Sequence, residues 1–308
     1  MKIDIKIEDN FGINDIISQL PTVKLFESED IIKIGIIYTC GNFLNGEIFA
    51  ILVAYVRYLQ KSGKEVQIIY DPDEDCETIK YASRINFFKL LEVDFNEKFN
   101  RQSSTGRFVE ITEFNHVNLW DIVHKTVKIF KSSLNVDNSI LDCIYHCFGE
   151  VVDNVDIHSQ SENGGVIYAQ FFPSAQKIKI FIIDSGIGFH ESLKSCEEYK
   201  AISHEDCLSK CCEKGVTDGK GKGIGLYHTS LFVQANNGTL IINSCGKELI
   251  KKANKEHIID TPYWQGSIIC LELRTNQSVD YNEVFKGYTP STFEDLEECR
   301  NEKIEELW

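Results

Sequence analysis

The chain has 308 residues, 43% of them hydrophobic, and a formal net charge of −15. This length and apolar content suit two domains, or one domain with a large addition, and the acidic balance excludes non-specific nucleic-acid binding through a basic patch. The longest apolar run, Ile48 to Val56, is too short to span a bilayer, and MKIDIKIEDN at the N-terminus carries no apolar signal region, so a cytoplasmic protein that avoids membranes is expected.

In chain order, residues 33–38 (KIGIIY) read as a strand and Asn45–Gly63 as a helix that stops at a glycine. Residues 65–70 (EVQIIY) read as a second strand, DPDED as a turn, and Thr78–Leu91 as a second amphipathic helix. Strand, helix, strand, helix at this spacing predicts a small α/β layer with parallel neighbours, and the polar stretch Asn100–Arg107 marks a boundary. Over about residues 30–95 this unit resembles the STAS domain of bacterial anti-sigma antagonists, through its element order and the ending YASRINFFKLLEV. Switch proteins of that family carry a phosphorylated Ser or Thr in an Asp-Ser-Ser-Gly-like turn, where this chain has CGNFLNGE. The resemblance therefore implies protein interaction or dimerisation without the phosphoswitch.

From Ser139 to Ile157 the apolar residues Leu141, Ile144, Phe148, Val151, Val152 and Val155 recur at about 100° per residue, with Asp142, Asp153 and Asp156 on the opposite face. Glu150, Asn154 and His158 are four apart. Glu150 and Asn154 lie at the border of the buried stripe, where a side chain faces a cleft. Gly165–Phe172 and Lys177–Ile183 read as two strands of a hairpin, and the second runs into DSGIGF. Asp184 at a strand end can accept a hydrogen bond from an exocyclic amine, and Gly186 and Gly188 let the backbone approach a flat base. Further on, Gly219, Gly221, Gly223 and Gly225 precede and open an apolar-periodic helix from about Ile224 to Gln234. A glycine-rich loop at a helix N-terminus offers free N–H groups and the positive end of the dipole, which suits phosphates. The spacing fits neither a Walker loop nor a Rossmann loop.

Taken in order, EVVDN with His158, DSGIG and GKGKGIGL resemble the N box and two glycine boxes of the GHKL ATPase superfamily: gyrase, the heat-shock chaperone, histidine kinases and MutL, with anti-sigma-factor serine kinases sharing the fold. The match covers about residues 110–275, including NNGTLIINS and the closing strand GSIICLEL. It implies an α/β fold, a two-layer α/β sandwich of Bergerat type with a mixed sheet, beside the smaller N-terminal α/β unit. The expected organisation is 1–105 STAS-like, 106–275 ATP-binding and 276–308 an acidic tail. The resemblance implies ATP and Mg²⁺ as cofactors. Asn154 would ligate Mg²⁺ and Glu150 would act as general base; Asp184 would read the adenine amine beside Gly186, Gly188 and Ser267. Gly219, Gly221, Lys222, Gly223, Ile224, Gly225 and Leu226 would hold the phosphates. His158 would either touch phosphate or cap its helix as a cation. Residues of about 189–220 would form an ATP lid, with Leu208 and Cys212 packing an amphipathic turn.

HVNLWDIVHKTV lacks the phospho-accepting pattern of a histidine kinase, and nothing after residue 275 is long enough for a transducer domain. Three functions stay open: a regulatory ATPase acting on a protein partner, a serine/threonine kinase of the anti-sigma type, and a scaffold that binds ATP without hydrolysis. The partner is a regulatory protein or a second copy in a homodimer. Eleven cysteines, an odd number, suit reduced thiols, and Cys207, Cys211 and Cys212 lack a second pair at zinc spacing. KELIKKANK (247–255) reads as a solvated loop. Phe293, Leu296, Ile304 and Leu307 give the acidic tail an amphipathic helical spacing.

Overall fold

The computed structural model describes residues 1–39, 45–70, 76–100, 107–133, 138–161 and 164–286. The segment CGNFL, the turn expected at DPDED, most of the boundary 100–107 and the amphipathic spacing at 293–307 lie outside the described residues. The chain is α/β, with parallel and antiparallel pairings divided between two sheets.

The N-terminal unit runs β1 (Lys2–Ile7), α1 (Ile13–Ile17), β2 (Ile31–Tyr38), α2 (Gly46–Lys61), β3 (Glu65–Tyr70), α3 (Glu77–Arg84) and α4 (Phe87–Leu90). Its strands form a three-stranded parallel sheet in the order β1-β2-β3. The single helix expected over Thr78–Leu91 is broken by Asn86, which takes a left-handed φ of 67° that the short polar side chain of Asn tolerates. β1 was not anticipated: its alternation, with Ile5 and Ile7 buried and Lys2, Asp4 and Lys6 exposed, was hidden in a segment read only for export signals.

The rest of the chain runs β4 (Phe108–Phe114), α5 (Leu119–Ser133), α6 (Asn138–His158), β5 (Gly165–Phe172), β6 (Lys177–Asp184), α7 (Gly188–Lys194), α8 (His204–Lys210), α9 (Gly225–Ala235), β7 (Thr239–Ser244), β8 (Lys247–Lys252), β9 (Lys255–Asp260), β10 (Ser267–Arg274) and α10 (Tyr281–Val284). Its seven strands pair antiparallel in the order β4-β5-β6-β10-β7-β8-β9. β10, the last strand, inserts between β6 and β7, so residues 185–238 cross over the place it fills. The solvated loop expected at KELIKKANK is instead the β8–β9 hairpin, in which Leu249 is fully buried against the core and Ala253 turns the chain at φ 49°.

Strand alternation gives the large sheet two apolar faces. On one, Ile167, Ile180, Ile182, Ile242, Ile269 and Leu271 pack against α5, α6 and α9, making the two-layer sandwich. On the other, Ile111, Val166, Tyr168, Phe181, Ile183 and Ile268 share a core with α2 and the small sheet. Helix α2 is apolar on every side, with Ile48 to Val56 all buried, because it is enclosed between two sheets. Polar contacts tie the units further: Arg57 on α2 donates to both Glu113 oxygens at 2.6 and 3.1 Å, and the Tyr81 and Tyr168 hydroxyls meet at 2.5 Å.

The cysteine expectation needs one correction. Cys76, at the N-cap of α3, is disulfide-bonded, whereas the other described cysteines are free thiols, most of them buried. Spacing along the chain did not reveal the pairing, since a disulfide needs proximity in the fold.

Behind the helical layer His146 on α6 meets His228 on α9, Nε2 to Nδ1 at 3.2 Å, with Phe285 edge-on to both rings. Burial, then the neighbouring His228, pushes His146 down to about 4. The unfolded chain binds a proton near pH 6.5 that the folded chain refuses until about pH 4, so stability is complete above 6.5 and is lost as pH falls through that window. Thermal melts from pH 7 to 4.5 should register a loss of up to roughly 3 kcal/mol. The slope should be shallower in His146→Gln.

Candidate functional site

The site begins with a row of residues across the end of the large sheet. Gly165, Asp184, Ser267 and Ser244 are register partners on β5, β6, β10 and β7, all facing the helical layer just beyond the last apolar rung. Asp184 is 3% exposed. Its Oδ1 accepts the Gly186 N–H at 2.8 Å, its Oδ2 accepts the Ser267 hydroxyl, and its backbone carbonyl accepts the Trp264 indole N–H at 2.8 Å. Burial pushes this carboxyl up, opposed by the Ser267 and Gly186 donors. The hydroxyl and backbone N–H of Ser267 and the N–H of Gly186 still leave an ionised carboxylate a lone pair, and Asp184 borders a cleft of about 330 Å³.

Four segments wall the cleft above that floor: α6, α7, the connection from α7 to α9, and the first turn of α9. On α6 the 3.6-residue period places Glu150, Asn154 and His158 along one flank, while Val151, Val152 and Val155 are buried toward the sheet. No described group hydrogen-bonds the side chain of Glu150 or Asn154. Burial raises the Glu150 carboxyl, Asp153 adds to the rise, and Lys222 opposes it. Gly225 explains how Glu150 comes so near α9: a Cβ there would stand 2.5 Å from Glu150 Oε2. Only glycine lets that carboxylate lie against the first turn of the helix.

The cleft gathers twelve of the expected residues: Glu150, Asn154, His158, Asp184, Gly188, Gly221, Lys222, Gly223, Ile224, Gly225, Leu226 and Ser267. Gly186 and Gly219 are not in its wall. Gly186 serves packing instead, since a Cβ there would lie 2.0 Å from the Ser159 carbonyl oxygen, and the Ile187 N–H donates to that same oxygen at 2.9 Å. Gly188 takes φ 71°, and a Cβ would sit 2.7 Å from Ser244 Oγ. Gly223 takes φ 62° with the Val216 carbonyl oxygen 2.5 Å from a would-be Cβ, and its own carbonyl accepts the Gly215 N–H at 2.8 Å. It is the knot that folds the glycine loop back on residues 215–216, so a side chain there would break the turn before it met any ligand.

Among the wall residues not singled out from the sequence, four bear polar or aromatic groups that matter to the site. Asp153, expected on the solvent face, borders the cleft, and burial raises its carboxyl. Phe189 and Ser192 on α7 and Asp218 ahead of the glycine loop are also in the wall. Asp218 Oδ2 lies 2.9 Å from His158 Nδ1 and accepts the Ser192 hydroxyl at 3.0 Å. The sequence signal for Asp218 was present in VTDGKGKG, where an Asp before glycines reads equally well as an ordinary turn residue.

Leu208 and Cys212 are buried, as the expected amphipathic turn required. Among the described residues no group of three or more His, Cys, Asp or Glu is placed to hold a metal ion, and no helix is long and apolar enough to cross a membrane. Chemically the cleft has two characters: a hydrogen-bond acceptor set in a buried floor, and a carboxylate, an amide and a lysine beside a helix N-terminus, with the apolar Ile269 also in its lining. No protein-family model matches the chain, and no curated protein matches it significantly.

Proposed function

We propose that the chain is a Mg-ATP-binding regulatory ATPase of GHKL type, working in the cytoplasm, that passes its nucleotide state to a protein partner through the lid. The observation that supports this reading best is the cleft with these two characters. An acceptor suited to an adenine amine, Asp184, and an anion-favouring helix N-terminus share one cavity of about 330 Å³, within the range of small-molecule sites.

The residues fit a magnesium nucleotide. Asn154 has no hydrogen-bond partner among the described residues, and its amide oxygen is a hard ligand; one protein oxygen suffices, because Mg²⁺ retains waters and shares phosphate oxygens. When bound, the ion would neutralise phosphate charge and polarise the phosphoryl group under attack. Glu150, raised by burial, is a stronger proton acceptor than an exposed carboxylate and would take the proton of the attacking water. Lys222 and the first turn of α9 would hold the phosphates, Asp184 would fix the base, and Ser267 and Trp264 hold Asp184 in place. The N-terminal unit, STAS-like in element order, would supply contact with a regulatory partner or a second copy.

The test is hydrogen exchange of residues 189–220 with and without a saturating non-hydrolysable ATP analogue, beside incubation with labelled ATP and candidate partners. Exchange in the lid should slow on binding, and inorganic phosphate should be released. Unchanged lid exchange together with a partner labelled on Ser or Thr would replace this reading with the anti-sigma-type kinase.

A further inference from the structure

Resting on the reading of the cleft as a nucleotide site, we infer that Asp218 is a positioning residue for its phosphate end, gripping one edge of His158 so that the other edge faces the glycine loop. Asp218 belongs to the lid, yet its side chain is only 2% exposed. Its Oδ2 receives two groups from two different helices, His158 Nδ1 at the last residue of α6 and the Ser192 hydroxyl on α7, while its Oδ1 accepts the Lys220 N–H at 3.0 Å. Burial alone would raise this carboxyl, but the hydrogen bonds from His158 and Lys220 outweigh it and hold it below the usual carboxylate range. The group therefore stays ionised as an acceptor.

With Nδ1 committed to Asp218, Nε2 is the ring atom left for a ligand. No described protein group hydrogen-bonds it. It looks toward Gly221, where an added Cβ would stand 3.6 Å away, ordinary contact distance, so the loop leaves space in front of the ring. A ring whose Nδ1–H is held by a carboxylate donates Nε2–H to a phosphate oxygen whenever both ring nitrogens carry a hydrogen, so the geometry leaves Nε2 as the atom that meets the ligand. The charges around it are Asp153 and Asp156 on α6, and Asp218, Lys220 and Lys222 on the lid and loop.

Asp218 thus joins two events that would otherwise be separate. While the lid is docked, the ring is aimed; when the lid leaves, His158 loses Asp218 and the ring can turn, whereas Ser192, on α7 within the same segment, stays with Asp218. By linkage, whatever Asp218 contributes to aiming His158 at phosphate, phosphate returns to docking of the lid.

The test is calorimetric titration of the full chain with Mg-ATP and with adenosine, for wild type, Asp218→Asn, His158→Ala and the double variant. Each single change should weaken ATP by about tenfold, the loss of one charge-assisted hydrogen bond, and the double variant should be no weaker than either. Adenosine affinity should be unchanged in all, because a purely structural defect would weaken both ligands alike. Ser192→Ala leaves the His158 contact intact and should give a smaller, ATP-specific loss, so the inference stays testable if Asp218→Asn folds poorly. Additive losses in the double variant, or equal losses for adenosine, overturn it. A wild-type chain that binds neither ligand overturns the nucleotide reading and this inference together; ATP binding indifferent to Asp218→Asn overturns this inference alone.

Discussion

Asp184→Asn should lower ATP affinity by about a hundredfold while leaving the melting temperature nearly unchanged. The two expectations separate because the carboxylate does two jobs with different atoms. Toward the protein, an amide at this position can still accept the Gly186 N–H through its oxygen, and the Ser267 hydroxyl can rotate to accept from the new NH₂. Toward the cleft, the amide presents a donor where an adenine amine also presents one, and two donors facing each other in a site 3% exposed have no water to relieve the mismatch. GTP should bind wild type poorly for the converse reason, since its base offers a carbonyl to the same carboxylate. Calorimetry of the two proteins with both nucleotides decides the matter. Equal ATP affinity in wild type and variant would remove Asp184 from the base contact.

Glu150→Ala is expected to divide binding from chemistry. A base acts on the nucleophile in the transition state, so its loss should cut phosphate release by about 10² or more while ATP affinity stays within a few-fold. Asn154→Ala should lose affinity and turnover together, because a magnesium ligand holds the ground state as well. The structure adds a reason for Glu150→Ala to be clean: no described group hydrogen-bonds that carboxylate, so truncation orphans no buried partner. Turnover unchanged in the Glu150 variant would exclude it as the base and favour a scaffold.

Elements whose periodicity is carried by buried side chains were legible in the sequence. β3, β5 and β6 alternate or run apolar between turn residues, and α6 keeps its stripe for twenty-one residues, so both bounds fell within one residue of the expectation. What was missed lacks that pattern. The loop expected over 247–255 fell mainly on β8, whose lysines hide the two buried residues Glu248 and Leu249, and β9 beside it is an edge strand with only Ile258 partly buried and so carries no apolar stripe to read. The left-handed Asn86 is local chemistry that an apolar count cannot register. In the site, residues on α6 and the glycine loop could be read because spacing and composition are both unusual there. Asp153 could not, because helical phase put it opposite the apolar stripe and only the fold brings it to the border of the cleft. Gly186 was assigned to the cleft from its motif, whereas a carbonyl from the end of α6 occupies its open side. The buried state of α2 had a signal that went unused: a helix apolar on all sides must be covered on all sides.

That enclosure of α2 has a consequence for how the chain is made. Synthesis proceeds from the N-terminus, so α2 leaves the ribosome about 120 residues before β5, the first strand of the large sheet that α2 contacts closely, and still further ahead of β10. At about 5–20 residues per second the interval is on the order of 6–24 seconds. Through that time the rear flank of the helix, bearing residues such as Ile51 and Ala54 that end fully or almost fully buried, has only water or another chain to touch. The nascent protein therefore carries a sticky, half-covered intermediate as an obligatory stage, and its yield depends on whatever in the cell shields that surface until the sheet arrives.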